Sequence, residues 1–585
     1  MIVRPKRIYR KRIPYGMQNF EDVIKEDCYY VDKTPFIEQI EESNKYFFFI
    51  RPRRFGKTLT LSMLENYYDI NKKDKFDEIF GKLYIGQNPT PEHNTYLIIH
   101  LNFAEVAAGL DDYKDGLDNH CRLVFNFFCD IYAHILPANT KEGMEKLTDA
   151  VSQLRFLCQK CQEVGKKIYL FIDEYDNFTN MILAHEEHLM RYRNQTHGER
   201  YLRQFFNTIK GTAVNSLGRV FVTGVTPVTM DNLTSGFNIG TNYSLSPKFN
   251  EMTGFTEEEV REMLDYYGSV LPFNHTTDEL IKVMKPWYDN YCFAVKSYGK
   301  TTMYNSMMVL NFVDNYIRSE YQIPKKMVET NIRIDYDKLR MLIRHDKEFA
   351  HDASIIQQLV TQGFVIGTLN ENFPAERIND PDNFLSLLFY FGMVTIDGTY
   401  KGETKFIIPN EVVRDQMYTY LLDTYKENDL VYDRYSKGKL ESKLAYDGQF
   451  KPYFEYIADC LKKYSSQRDK QKGEAFVHGF TLAMTSQNKF YRPISELDND
   501  GGYADIFLSP LCDIYKDMVD SYIIELKYCK SQTIDEQVKK LFEEASAQIS
   551  RYADSDMVRE AVKTTKLHKL VVIYRGAEMV ACEEI

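Results

Sequence analysis

Two groups of residues have the types and spacing for phosphate chemistry. The first lies in "FFFIRPRRFGKTLTLS" (47–62), where Gly56, Lys57 and Thr58 follow an apolar run, with Arg54 and Phe55 just before them. Such a loop can cradle a polyphosphate if a helix starts there. Backbone N–H groups then face the phosphates, the Lys57 ammonium reaches the outer ones, and the Thr58 hydroxyl ligates magnesium. Further on, "KKIYLFIDEYDNF" (166–178) ends an apolar run in Asp173 and Glu174. The first carboxylate would orient magnesium through water, and the second would polarise the attacking water. The other group is near the C-terminal end: Asp505 in "GGYADIFLSP" (501–510), with Glu525 and Lys527 in "DSYIIELKYCK" (520–530). Two carboxylates there could hold a hard divalent cation, and the lysine could fix or polarise a nucleophile.

These side chains need particular elements beneath them. "KYFFFI" (45–50) reads as a buried strand, and Leu59, Met63 and Tyr67 recur at helical spacing after the loop. The "IYLFID" run reads as a second strand. "GRVFVTGVTPV" (218–228) reads as a third, ending in Thr223 and Thr226, where a polar sensor of the γ-phosphate would sit. Strands alternating with helices predict a parallel sheet covered on both faces, hence an α/β ATPase core. The loop itself departs from G-x-x-x-x-G-K-[ST], since Arg51 stands where the first glycine belongs. Arg53 and Arg54 add positive charge, either for nucleotide phosphate or for ion pairs with Asp173 or Glu174.

At this point the chain resembles a known family over essentially its whole length. Tyr30, Val31, Asp32, Lys33 and Thr34 match a "YVDKT" signature, and Arg51 to Lys57 match "RPRRFGK[ST]", both of the bacterial AAA-ATPase-like family. "WYDNYCF" (287–293) and "MYNSMMVLNFV" (303–313) resemble its "WYDGY" and "YNP" blocks, with Asn290 and Ser306 as departures. The resemblance implies that Arg51 is typical of the family, that backbone approach to nucleotide phosphate comes mainly from loop residues 54–58, with Asp173 and Thr223 read as nucleotide-binding from their strands, and that a nuclease-like domain follows.

The C-terminal pattern D-x(n)-E-x-K on neighbouring strands is that of PD-(D/E)xK nucleases. The bland alternative is an edge strand of mixed charge. "KGEAFVHGFTLAM" puts Glu474 on a helix ahead of the first strand, as a further acidic metal ligand. "EEASAQISRYAD" puts Gln548 and Tyr552 four apart on a later helix. "KLHKLVVIYRG" (566–576) supplies a closing strand, giving the order helix, strand, strand, helix, strand. Asp505 is expected at a solvent-facing position, and the family resemblance extends to Glu474, Asp505, Glu525 and Lys527.

With 585 residues the chain is too long for one core. Three domains are expected: an ATPase domain over 1–248, a helical lid with a winged-helix-like part over 249–430, and a nuclease-like domain over 431–585. Within the lid, "FTEEEVREMLDYYG" reads as a helix start. "DNFLSLLFYFGMVTIDGTYKGETKFIIPNEVV" reads as helix, strand, a turn at Asp397-Gly398, strand and helix. The net charge of −11 excludes a general polyanion-binding surface, so nucleic-acid contact must be local. The arm with Arg4, Lys6, Arg7, Arg10, Lys11 and Arg12 is one such place, or simply solvated charge. No apolar run suits a membrane span or signal peptide, and ten scattered cysteines suit a reducing cytoplasm. Cys158 and Cys161 lack a second metal-binding pair and read as helix cysteines. "HEEH" (185–188) lacks H-E-x-x-H spacing and reads as a solvated helix face.

The sequence therefore predicts an ATP-binding and ATP-hydrolysing protein coupled to a metal-dependent nuclease, with Mg²⁺ or Mn²⁺ at the second site. Nucleic acid, DNA first, is the expected partner, and a role against mobile DNA is implied by the architecture. A homo-oligomer is open, with Arg191, Arg193, Arg200 and Arg203 able to act across an interface or to be surface charge. The competing reading is a switch-type signalling or scaffold ATPase whose nuclease fold only binds nucleic acid.

Overall fold

The apolar runs of the N-terminal half become strands because helices follow each of them and can cover both faces. The computed structural model describes residues 10–106, 112–177, 197–212, 216–228, 240–324, 326–328, 355–374, 377, 380–427, 430–465, 473–499, 502–553 and 556–585. The chain divides into two compact units. The first is built from residues up to Gln322 together with Ile366–Pro409, and the second from Asn410–Ile585 with a short stretch ending at Val365.

In the first unit α1 (Phe20–Lys25) precedes β1 (Tyr46–Ile50) and α2 (Lys57–Tyr68). Then come β2 (Tyr96–Asn102), α3 (Tyr113–Ile131), α4 (Ala150–Glu163), β3 (Lys167–Asp173), α5 (His197–Thr212), β4 (Leu217–Gly224) and the short β5 (Thr241–Asn242). The strands form one parallel sheet in the order β2-β3-β4-β1-β5. β4 is buried along its whole length, as a strand covered on both faces must be. The chain's wealth of Tyr and Phe collects on the α2 side. Phe47 stacks on Phe221 at 5.0 Å, and Tyr169 on Phe171 at 4.2 Å. Large flat side chains fill this layer with few rotatable bonds to order. On the other side α3, α4 and α5 pack together, with Cys158 and Cys161 buried in α4.

The helices after the sheet begin where their capping residues dictate. α6 (Glu257–Val270) and α7 (Thr277–Tyr288) each start at a reciprocal capping box, Thr256 with Glu259 and Thr276 with Glu279. α8 (Ser306–Arg318) is capped by Asn305. α9 (Pro381–Tyr390) leads into a hairpin of β6 (Thr395–Tyr400) and β7 (Glu403–Ile407). Its turn is not at Asp397-Gly398, as expected, but at Lys401 and Gly402. Both of these have positive φ (53° and 92°), which a two-residue hairpin loop requires. Asp397 and Gly398 instead form an irregularity inside β6, where the register shifts between Ile396 and Thr399.

Both departures from the family blocks have a local reason. Asn290 has φ +79°, a conformation glycine adopts freely and asparagine tolerates best among the rest. Its Nδ2 also donates to the Pro409 carbonyl at 2.9 Å. Ser306 is the first residue of α8, where proline is favoured because that N–H has no helical partner. Its hydroxyl donates instead to the Arg54 carbonyl at 3.2 Å.

In the second unit α10 (Glu411–Glu427), α11 (Arg434–Asp447), α12 (Phe450–Ser465) and α13 (Glu474–Ser486) precede the sheet. β8 (Tyr491–Asn499), β9 (Gly502–Pro510) and β10 (Asp520–Cys529) follow, then α14 (Asp535–Tyr552), β11 (Lys566–Arg575) and β12 (Glu578–Glu584). The order is β12-β11-β10-β9-β8; only β10 and β11 pair in parallel. Two of these strands were not expected. β8 carries Pro493 and alternates with charged residues, which is tolerable because it lies at the sheet edge. β12, not β11, closes the other side. Phe507, Ile523, Ile549, Val571 and Ile573 form the core beneath α14.

The Asn290 backbone is open to a stability test. Asn290→Ala and Asn290→Gly both lose the bond to Pro409, so their difference isolates backbone strain. The alanine variant should be less stable by about 1 kcal/mol in urea unfolding. Equal stabilities would mean that the positive φ imposes no cost.

Candidate functional sites

The loop after β1 owes its shape to two left-handed residues and a buried arginine. Arg54 (φ 69°) and Gly56 (φ 90°) flank Phe55, whose ring is buried edge-on against Tyr291 at 4.9 Å and Phe293 at 5.3 Å. The Phe55 carbonyl accepts from Gly254 N–H at 2.9 Å, and a Cβ on Gly254 would meet the Phe55 ring and the Tyr304 carbonyl at 2.9 Å. Arg51 lies between the rings of Phe49 and Phe293, 4.2 and 4.3 Å away. Its guanidinium donates to the carbonyls of Ile50 (3.0 Å), Ser244 (2.5 Å) and Phe249 (2.9 Å). Burial pushes it down to about 9. The side chain is thus a strut between β1 and the segment after β5, with its charge turned away from the loop amides.

Lys57 rests on that same loop. Its Nζ donates to the Arg51 and Pro52 carbonyls at 3.0 and 3.1 Å, and burial lowers its pKa. Thr58 Oγ1 donates to Asp173 Oδ2 at 3.0 Å, and Glu174 N–H donates to Asp173 Oδ1 at 2.9 Å. Burial raises the Asp173 carboxyl, and the charge on Glu174 raises it further, against the pull of Lys57. The parallel order brings these groups together, since β1 and β3 flank β4. Glu174 has φ 49°, a strained backbone at the end of the strand. α2 starts at Gly56 with no side-chain cap, so its first N–H groups have no side-chain acceptor.

Thr223 and Thr226 divide the role expected of them. The Thr223 hydroxyl is committed to the Phe49 carbonyl at 2.7 Å. The Thr226 hydroxyl is buried without a partner among the described residues. Asp176, which the sequence reading passed over, fixes this segment: its carboxylate accepts from Val225 N–H and from Thr226 N–H at 2.7 Å. Its only sequence signal is its place three residues after Asp173. Beside the loop lies an apolar cavity of about 90 Å³, walled by Tyr29, Tyr30, Phe55, Met252, Phe255 and Met307 among others. The "YVDKT" residues hold its rim. Lys33 Nζ donates to Glu259 at 2.6 Å and to the Glu251 carbonyl at 2.9 Å, tying this segment to the start of α6. Asp32 accepts from Thr34 N–H and from Tyr84 N–H at 2.8 Å.

The second site forms where β9 and β10 pair. Ile506 opposite Ile524 sets Asp505 across from Glu525. Asp505 is not solvent-facing. It is largely enclosed, and its Oδ2 accepts from Leu526 N–H at 2.7 Å. Glu525 is 1% exposed; one oxygen binds Lys527 Nζ at 2.8 Å, and the other is buried with no partner among the described residues. Burial, then repulsion from Asp505, pushes Glu525 up to about 7. Burial also raises Asp505. Burial would lower Lys527, but the bond to Glu525 raises it. Glu474 is exposed in the first turn of α13, where the charges of Lys527 and Asp505 both reach it. Gln548 Oε1 is buried without a partner among the described residues. Tyr552 is the last residue of α14, and its side chain lies outside the described residues.

His478 was also missed. Its Nε2–H donates to the Asp505 carbonyl at 2.9 Å, and burial lowers its pKa against the pull of Asp505. The signal was available, because His478 follows Glu474 by four residues on one helix face. Among the described residues no three His, Cys, Asp or Glu side chains form a closed cage for a metal. The donor set still fits a magnesium-like ion, which needs one or two carboxylates and keeps several waters. The buried, unpartnered Glu525 oxygen is the group such an ion would satisfy. Arg4, Lys6, Arg7, Arg191, Arg193 and the "HEEH" run lie outside the described residues.

Comparison with known proteins agrees with this division. Residues 14–234 match the family described as a predicted AAA-ATPase, AAA-ATPase-like, and residues 472–584 match the PD-(D/E)XK nuclease superfamily. The chain therefore carries an AAA-ATPase-like segment and a PD-(D/E)XK nuclease-superfamily segment. An uncharacterized protein in the vnfD 5' region of Azotobacter chroococcum mcd 1 is 25% identical over 286 residues, 48% of this chain and 49% of that protein. The chain thus spans about half the length of this curated relative. Among solved structures, Aeropyrum pernix ORC2 (ADPNP-ADP complexes) aligns with 67% of this chain and 93% of its own at 9% identity and a TM-score of 0.30. The ORC1 protein of the same organism, in complex with DNA, aligns with 71% of this chain and 98% of its own at 9% and 0.29. No helix among the described residues is long and apolar enough to cross a membrane.

The Glu525 pKa gives a signed pH dependence. A carboxyl whose folded pKa exceeds its unfolded value binds an extra proton in the folded state between the two, so stability falls as pH rises through that window. The metal-free protein should lose stability from about pH 4.5 to about 7. In calorimetry Glu525→Gln should flatten that slope, and an unchanged slope would place the titrating group elsewhere.

Proposed function

We propose that the first unit binds and hydrolyses ATP and that the second cleaves phosphodiester bonds in nucleic acid, DNA first, with a divalent cation. The observation that carries the first part is Thr58 bonded to Asp173 beside Lys57. Lys57 is parked on two backbone carbonyls, which a triphosphate would replace as its partner. Thr58 and Asp173 are already within one hydrogen bond, so both can face one magnesium ion. Glu174 follows directly and is the group to take a proton from water. Arg54, Phe55 and Gly56 shape the loop for phosphate, and Thr226 is better placed than Thr223 to report on the outer phosphate. The apolar cavity walled by Tyr29, Tyr30 and Phe55 suits a nucleobase.

The second part rests on Asp505 and Glu525 on paired strands with Lys527 bonded to Glu525. Asp505, Glu525 and, from α13, Glu474 would hold Mg²⁺ or Mn²⁺. That ion would supply charge for the phosphate and acidify water. Lys527 would then be freed from Glu525 to hold the nucleophile's oxygen in line. His478 keeps the Asp505 backbone in place. Gln548 and Tyr552 line the same helix, suited to contact the substrate. ATP hydrolysis coupled to cutting would suit a cytoplasmic protein acting against mobile DNA.

Lys57→Ala should weaken ATP binding on the order of a hundredfold in equilibrium titration, the loss of a charged hydrogen-bond pair. Glu174→Gln should bind ATP normally yet hydrolyse it about 10²- to 10⁴-fold more slowly. ATP binding by Lys57→Ala equal to wild type would exclude this loop.

For the nuclease, Asp505→Asn keeps an acceptor for Leu526 N–H while removing a charge from the cation. Labelled DNA and RNA incubated with Mg²⁺ or Mn²⁺ should be cut by wild type, not by Asp505→Asn, and at least about 10²-fold more slowly by Lys527→Ala. Chelator should abolish cutting. Folded wild type that binds nucleic acid but cuts none of it would favour a scaffold ATPase. A change in cutting by Glu174→Gln would mark coupling of the two activities.

A further inference from the structure

The outer strand of the first sheet carries an unfilled edge. β2 has β3 on one side; on the other only Tyr96 is paired, in an isolated parallel bridge with Asp69, and the strand beyond it has no neighbour among the described residues. There the Ile98 N–H donates outward to the Tyr132 hydroxyl at 3.0 Å. Alternation along the strand turns the His100 and Asn102 N–H groups the same way, and among the described residues no loop or side-chain group accepts from them. A cavity of about 440 Å³ runs along this edge. From Ile98 to Asn102 it follows about 13 Å of strand.

The two walls of this cavity differ. On the α3 side, Leu123, Phe127 and Ile131 recur four residues apart and are 67, 66 and 38% exposed, an apolar row standing in water. Phe127 and Ile131 face the cavity. The opposite side carries carboxylates: Glu65 from α2, Asp69 just after it, where it already accepts from the Tyr132 hydroxyl and Asn71 N–H, and Glu105 after β2. His100 Nδ1 binds Glu65 at 2.5 Å, while the Nε2 atoms of His100 and of the 8%-exposed His120 are buried without a partner among the described residues. Glu21, at one end, is already neutralised by Lys25, Lys72 and Lys75. The remaining carboxylates would repel a nucleic-acid backbone.

We propose that this edge docks an extended cationic segment of a partner protein by strand addition. Backbone groups of the segment would pair with the His100 and Asn102 amides. Its side chains, pointing alternately to either side, would set apolar residues on Phe127 and Ile131 and lysine or arginine against Glu65 and Glu105. An occupant with cationic–apolar alternation satisfies both walls at once.

The test uses the full chain and a synthetic capped heptapeptide of alternating lysine and leucine. Binding should slow amide exchange of residues 98–102 at least tenfold. Phe127→Asp, an exposed substitution, should weaken binding at least tenfold while ATP binding stays at the wild-type level. The same peptide N-methylated at every second residue keeps its charge and loses its backbone donors, and it should fail to protect β2. The proposal is overturned if β2 gains no protection, if the N-methylated peptide binds as well, or if a glutamate–leucine peptide binds as well as the lysine one. It is equally overturned if double-stranded DNA protects residues 98–102.

Discussion

Lys57 lies among carbonyls and Glu525 beside Lys527 because neither charge can leave water unaccompanied. Withdrawing an ion from solvent costs several kcal/mol unless a partner takes the place of water. In both units, strands bring ionisable groups to the point where solvent is excluded, and the neighbouring backbone and side chains supply the missing partners. Loop carbonyls serve Lys57, Thr58 and Glu174 N–H serve Asp173, and Leu526 N–H serves Asp505. What is left unsatisfied is informative. One Glu525 oxygen and the Thr226 hydroxyl are buried without partners among the described residues, and each stands where the proposed chemistry needs a free group.

The same constraint accounts for the unusual loop. In the common phosphate-binding loop a glycine lets the chain turn closely around the phosphate. Here Arg51 occupies that position, and its guanidinium is buried between two aromatic rings, held by three carbonyls. Rigidity comes from a cation embedded behind the loop, and the sharp turn is moved to Arg54 and Gly56, both left-handed. The "YVDKT" segment works in a similar way. Lys33 reaches the capping box of α6, which ties the rim of the cavity beside the loop to the following helices. A signature that looks like a binding motif therefore owes much of its chemistry to architecture.

Periodicity and chemical type made much of this legible beforehand. The strands ending at Ile50, Asp173 and Gly224, the capping-box start at Thr256, and the pairing of the Asp505 strand with the Glu525 strand all follow from local pattern. Turn position was less accessible. Asp397-Gly398 and Lys401-Gly402 are both plausible turn dipeptides, and only cross-strand register decides between them. β8 was hidden by Pro493 and its charges, which are acceptable only at an edge, and edge position is a property of the assembled sheet.

By itself the sequence determined the two kinds of domain and their order along the chain, because G-K-T, D-E and E-x-K stand on local strand and helix patterns that the chain itself carries. It marked Asn290 and Ser306 as departures, and the structure supplied the reason, a positive φ at the first and a helix start at the second. The tertiary structure alone decided which hydroxyl at the end of β4 stays free, that Arg51 points away from the loop, and that Asp176 and His478 hold backbone at the two sites. Those outcomes depend on groups brought together from distant parts of the chain. Burial and partner choice are energies of the assembled environment, and a side chain's local sequence carries no record of what will remove it from water.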